Sequence, residues 1–220
     1  MKSEKVTHAD EKDKFFKKRD GFAIPNRSSD TLKLNIQRID RRHIVPQAYG
    51  DVIEIGIHKG NNFPLYNTTK MSSLLGFDPF ANEVLLSQLA QNLEFPVEVM
   101  KETFEASNLP DEHFDCVVST HTLCSARDPM AVLLEVYRIL KPGGRFLFYE
   151  KGRHPNTFIA KCQDFISPLW QRFGQGCQLN RNIFRLIKRA GFHVDFLETG
   201  TEFLQPRLVG YIYSGVAIKA

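Results

Sequence analysis

The chain has 220 residues, 42% of them hydrophobic and 25% charged, which suits one globular domain with a sizeable core. Its formal charge of +4 gives no support to a nucleic-acid partner. Four scattered cysteines without a C-x-x-C pair argue against a disulfide framework and a zinc site, and suit a reducing compartment.

Met1 to Gly21 alternates lysines and acids around Phe15-Phe16, without an apolar stretch of signal or membrane-spanning length. It reads as a solvated arm, with a cap over a pocket as the second reading. Ser29 to His43 sets Leu32, Leu34, Ile36 and Ile39 among Lys and Arg, the pattern of a helix packed on a sheet edge. Residues 1–45 are thus expected as an N-terminal helical arm or cap. A cytoplasmic location is expected, with no integral membrane contact and peripheral contact left open.

The core pattern begins with Asp51–Gly56, a short β-branched run that ends in glycine and reads as a strand. A loop and short helix follow at Asn61–Tyr66, then a second strand at Ser73–Phe77. Ala81–Asn92 is expected as a helix, with Ala81, Val84, Leu85 and Leu89 on its apolar face. Pro96–Met100 and Phe114–Ser119 are the third and fourth strands, the fourth apolar enough to be buried on both faces. Pro129 opens the next helix, whose face is Val132, Leu133, Val136, Tyr137 and Leu140. Lys141-Pro142-Gly143-Gly144 ends it, and Arg145–Glu150 is the fifth strand.

Phe158–Phe173 is an aromatic helix expected to kink or break at Pro168. Asn180 is expected to cap another helix, which Ala190-Gly191 ends. His193–Glu198 and Tyr211–Ile218 close the chain as strands. The alternation predicts an α/β fold, a Rossmann-like three-layer sandwich around a mostly parallel seven-stranded sheet. A loop and not a helix joins the last two strands, which leaves them free to pair with the last strand antiparallel in a mixed sheet. Residues 1–220 are read as a single domain. Its cofactor-binding half is 51–150, and 151–220 lie on the substrate side.

The chemistry gathers at strand ends. Gly56 and Gly60 let the chain bend sharply after the first strand, beside the place where open α/β sheets bind ligands. Asp78, followed by Pro79, closes the second strand about 20 residues later, where a carboxylate accepts from ribose hydroxyls. A turn or cap aspartate is the plainer reading of Asp78 alone; the pair points to a nucleoside ligand. Pro64 and Asn67-Thr68-Thr69 leave room for only a short helix, and the third glycine of G-x-G-x-x-G is missing. Both features weaken a dinucleotide reading.

At this point the sequence resembles the class I S-adenosylmethionine-dependent methyltransferases. Asp51–Gly60 is similar to their first motif and Leu75-Gly76-Phe77-Asp78 to their ribose-binding strand end. Phe104–Pro110 is similar to their adenine loop and Phe114–Val118 to the strand after it. Glu135–Gly144 resembles their helix-and-turn signature. Within that class the closest likeness is to the alkyl-thiol methyltransferase-like (methyltransferase type 11) family. It rests on Gly60-Asn61-Asn62-Phe63, Asp78-Pro79, Leu123-Cys124-Ser125, Trp170-Gln171, Gly176-Cys177 and Gly210-Tyr211. That family has glycine where this chain has His58 and a small or hydroxyl residue where it has Lys59, a departure that bears on cofactor affinity.

The resemblance implies S-adenosyl-L-methionine as cofactor and Glu54, Gly56, His58, Gly60, Asn62, Asp78, Pro79, Glu105, Ala106 and His121 as its binding residues. Glu54 would face the ammonium group, Asp78 the ribose, and Glu105 with the Ala106 or Ser107 N–H the adenine. Glu105 also reads as a surface acid. His121, after the fourth strand, is the candidate for contact with the acceptor or for proton transfer, and Glu150 has the same standing. No metal is called for, because in-line methyl transfer needs alignment in a dry site more than a triad. The aromatic residues of 158–173 are expected partly in the core and partly on the wall of a substrate pocket.

The acceptor is therefore expected to be a small, hydrophobic molecule, a thiol first. The alternatives are a non-catalytic binding protein on the same fold and a lipid or quinone methyltransferase. Oligomeric state is not readable.

Overall fold

The computed structural model describes residues 38–202 and 205–220. The expectations for the Met1–Gly21 arm, and for 29–37 of the first helix, lie outside those residues. Strands form at β1 (Arg38–Ile39), β2 (Gly50–Ile55), β3 (Met71–Phe77) and β4 (Val97–Met100). They continue with β5 (Phe114–Thr120), β6 (Leu140–Lys151), β7 (His193–Glu202) and β8 (Tyr211–Ile218). All eight join one sheet in the order β1-β7-β8-β6-β5-β2-β3-β4. Only β8 runs against the rest, paired antiparallel to both β6 and β7. Seven of these strands match the expected ones. The eighth, the two-residue β1, pairs parallel with Thr201 and Glu202 at the sheet edge.

Residues 38–43 are therefore not the end of the α-helix that Ser29–His43 had suggested. Ile39 is in a strand, and Asp40 caps a 3-10 turn over Arg41–His43 through the Arg42 N–H. Alternation along the strands divides the core between the two faces of the sheet. Val117, Phe146 and Phe148 pack with Val132, Leu133 and Val136 of helix α2 (Pro129–Ile139) and with Ile183 and Ile187 of helix α4 (Ile183–Arg189). Val52, Cys116, Val118, Leu147 and Tyr149 pack on the opposite face with Leu86 of helix α1 (Glu83–Ala90). Val84, expected on the buried side of α1, is exposed, and Leu86 takes the core position.

Local chemistry sets the helix starts. Asp128 accepts from the Met130 and Ala131 N–H groups at 3.0 Å, and Pro129 needs no donor at the first helical position. For α4 the cap is Asn182, not Asn180: its side chain accepts from the Arg185 N–H, while Asn180 donates to Asp164. Helix α3 (Thr157–Phe173) starts at Asn156 and continues unbroken through Pro168. It is held by polar groups. Gln163 accepts from the His154 N–H and donates to the Gly152 and Leu208 carbonyls, and Ser167 Oγ accepts from the Leu179 N–H.

Candidate functional site

β2 is hydrogen-bonded to β3 on one side and β5 on the other, so connections diverge from its carboxyl end. That divergence opens a crevice in a parallel sheet. A cavity of about 950 Å³ occupies it, walled by the ends of β2, β3 and β5 and by residues 102–105 after β4. The size accommodates a nucleoside-sized ligand together with a small second molecule.

The bend after β2 brings the backbone against the Thr122 side chain and the Phe77 carbonyl. Gly56 has φ +79°, and a Cβ there would stand 2.1 Å from Thr122 Oγ1. Thr122 Oγ1 donates to the Ile55 carbonyl at 2.9 Å, and the Gly56 N–H donates to the Phe77 carbonyl at 2.7 Å. His58 is also left-handed, at φ +43°. The departure from the family pattern thus falls where glycine carries no steric cost. The His58 N–H donates to Asp78 Oδ2 at 3.1 Å, and the Phe80 N–H donates to Asp78 Oδ1 at 2.7 Å. Each oxygen keeps a further acceptor position.

Glu54 is buried on the wall, where Asn62 Nδ2 donates to Oε1 at 2.8 Å and the Tyr66 hydroxyl donates to Oε2 at 2.6 Å. Burial outweighs these two bonds and raises its pKa to about 7. Asn62 Oδ1 is buried without a partner. An uncompensated buried acceptor costs about 1–3 kcal/mol, which a bound donor would recover.

His121 takes a left-handed conformation, φ +57°, at the end of β5. Its Nε2 is 3.0 Å from Glu202 Oε1, its ring packs edge-on against Tyr149, and Nδ1 is buried without a partner. Burial pushes the Glu202 carboxyl up, but the His121 bond and the Lys151 charge pull it below its ordinary value. Strained residues of this kind gather at sites where the surrounding structure over-determines them. Glu150 does not share the cavity wall. It is buried, its pKa raised by burial, and it accepts from Ser119 Oγ and the Thr122 N–H, at 2.7 and 2.9 Å. Its geometry holds the 120–124 turn.

Of the residues singled out in the sequence, Glu54, Gly56, His58, Asn62, Asp78, Pro79, Glu105 and His121 stand on the wall. Gly60 stands behind it, where a Cβ would meet Leu86 at 2.9 Å. Ala106 belongs to the 3-10 turn Phe104–Ala106, and its side chain is outside the description. The wall also includes Arg41, Thr120, Thr122 and Gln175, which the sequence did not single out. Thr120 and Thr122 flank His121 and were within reach of strand-end logic; Arg41 and Gln175 come from distant segments. Phe158, Phe165, Trp170 and Phe173 are not on this wall, so the expected aromatic lining is corrected.

The model of a methyltransferase domain family matches residues 53–148. Thiol S-methyltransferase TMT1B of Rattus norvegicus is 32% identical over 171 residues, 76% of this chain and 70% of that protein. The Homo sapiens protein of that name is 30% identical over the same shares. The chain belongs to the S-adenosylmethionine-dependent methyltransferases. A solved methyltransferase of that class from Methanosarcina mazei shares the fold, with TM-score 0.58 and 19% identity over 77% of this chain and 92% of that one.

The methyltransferase's cofactor is S-adenosyl-L-methionine, and the cavity suits it. Asn62 Oδ1 awaits a donor such as an ammonium, Asp78 closes the neighbouring strand with acceptor positions to spare, and the bend at Gly56 presents no Cβ. Among the described residues, no helix is long and apolar enough to cross a membrane.

Proposed function

We propose that the enzyme methylates a small, hydrophobic acceptor, a thiol first, with the adenosyl cofactor lying across the ends of β2 and β3. The observation that carries this reading is the pair of buried, unpartnered atoms Asn62 Oδ1 and His121 Nδ1 on residues of one wall. Glu54 and Asn62 receive the ammonium, and Arg41 offers a cation to the carboxylate. Asp78 receives the ribose hydroxyls, and Glu105 with the Ala106 or Ser107 N–H receives the adenine. When bound, the cofactor supplies an electrophilic methyl on a sulfonium.

His121 prepares the acceptor. With the Nε2–H donated to Glu202, Nδ1 carries the lone pair and takes the proton of a thiol, and the thiolate is the reactive form. Glu202 stays ionised and stabilises the imidazolium, as a carboxylate does behind a catalytic histidine. The two similar thiol S-methyltransferases favour sulfur over oxygen, nitrogen or carbon as nucleophile. A cytoplasmic workplace belongs to the same proposal, supported by the free state of all four cysteines.

An acceptor screen with isotope-labelled S-adenosylmethionine and mass spectrometry tests the reading, starting with aliphatic thiols. Labelled thioether should form with the parent and be lost in Asp78→Ala. Label appearing only in phenols, amines or quinones would refute the thiol assignment.

A further inference from the structure

α3 buries the wrong side for an ordinary surface helix. Its core-facing residues are Ala160, Gln163 and Ser167, small or polar. Its outer side carries Phe158, Phe165, Leu169 and Phe173, exposed to 74%, 87%, 60% and 78%. At 3.6 residues per turn these four fall within an arc of about 80° and along about 22 Å of helix. Exposed Lys161 and Arg172 border that arc on one edge. A helix with an aromatic and leucine face and a cationic border has the composition of one that lies in a lipid surface.

We propose that this face of α3 rests in the surface of an anionic phospholipid bilayer. Charge decides between that occupant and a second copy of the chain. Antiparallel pairing of two α3 helices about Phe165 and Ile166 brings like borders together, setting Lys161 beside the second copy's Arg172. Like charges repel there, whereas phosphatidylserine headgroups attract both. The end of α3 leads through Gly174 to Gln175 on the cavity wall, so docking would bring that wall toward the bilayer. The docking itself does not depend on which acceptor is methylated.

Flotation of the full chain with phosphatidylcholine vesicles, with and without phosphatidylserine, tests the proposal. Binding is expected with phosphatidylserine and should weaken by about ten-fold or more in Phe165→Ser/Leu169→Ser, which removes two large apolar anchors. Lys161→Glu/Arg172→Glu should weaken it too, and added salt should do the same to the parent. These substitutions lie off the cavity wall, so calorimetric S-adenosylhomocysteine affinity should match the parent in every variant. Absence of binding to the anionic vesicles, or binding indifferent to the double serine substitution, overturns the proposal. So does a dimer, or a melting temperature, that falls with the same substitution and without lipid; the face would then belong to a second copy or to the chain itself.

Discussion

The His58 backbone N–H donates to Asp78 Oδ2 at 3.1 Å, tying the bend after β2 to the end of β3. One carboxylate thus fixes the distance between two strand ends on the cavity wall. Asp78→Ala removes both this tie and the ribose acceptors proposed above. Affinity for S-adenosylhomocysteine should fall by about 10–100-fold, the equivalent of one or two charge-assisted hydrogen bonds. Isothermal titration measures it, and an unchanged dissociation constant would remove Asp78 from the binding site.

His58→Gly separates strain from function. The left-handed backbone costs an L-residue about 1–2 kcal/mol, and glycine escapes it at about 0.5–1 kcal/mol of extra unfolded-state entropy. The substitution should therefore be neutral or stabilising by up to about 1 kcal/mol in urea denaturation. His58→Val, β-branched at the same φ, should be clearly destabilising. Equal losses in both would place the importance of His58 in its ring.

Glu54 gives the protein a pH signature. Its pKa of about 7, raised by burial from an ordinary 4.5, means that folding favours the protonated form. Its stabilising contribution is complete below pH 4.5 and is lost as pH rises through 7, by roughly 3 kcal/mol. Glu54→Gln should flatten that part of the pH–stability curve. The ionised form binds an ammonium better, so S-adenosylmethionine affinity should climb from about pH 6 to about pH 8 in the parent only. A parallel climb in Glu54→Gln would point to another group.

His121→Asn keeps a residue that tolerates positive φ but removes the proton acceptor. With a thiol acceptor, kcat near neutral pH should drop by about 100-fold or more. At alkaline pH, where the acceptor is already a thiolate, much of the rate should return. Glu202→Gln should move the pH–rate profile without abolishing turnover, because Glu202 acts through the histidine. A flat, pH-independent loss in His121→Asn would assign the side chain a structural part instead.

The sheet was legible because its strands are short apolar runs ended by glycine, proline or a charged residue, and only one face pattern satisfies each. Three residues of the cavity wall were legible for a related reason: Glu54, Asp78 and His121 all sit at or beside a strand's carboxyl end. α3 was not legible. Periodicity reveals a stripe on a helix but not which way it faces, and here Gln163 and Ser167 turn it outward by bonding to loop backbones. Arg41 was missed because a charge in a 3-10 turn acquires meaning only when the sheet edge brings it to the wall. The cap at Asn182 instead of Asn180 is a two-residue shift between near-identical candidates, decided by which asparagine reaches an orphan N–H.

β8 lies between β6 and β7, and every strand it joins precedes it in sequence. During synthesis, β1 and β7 therefore have no seat in the sheet until Tyr211–Ile218 has cleared the ribosome tunnel. β2 to β6 can assemble earlier and must wait with an open edge at β6, the species most exposed to misassociation. Emergence of β8, not assembly of β2 to β6, then marks the moment at which His121 acquires Glu202 from β7.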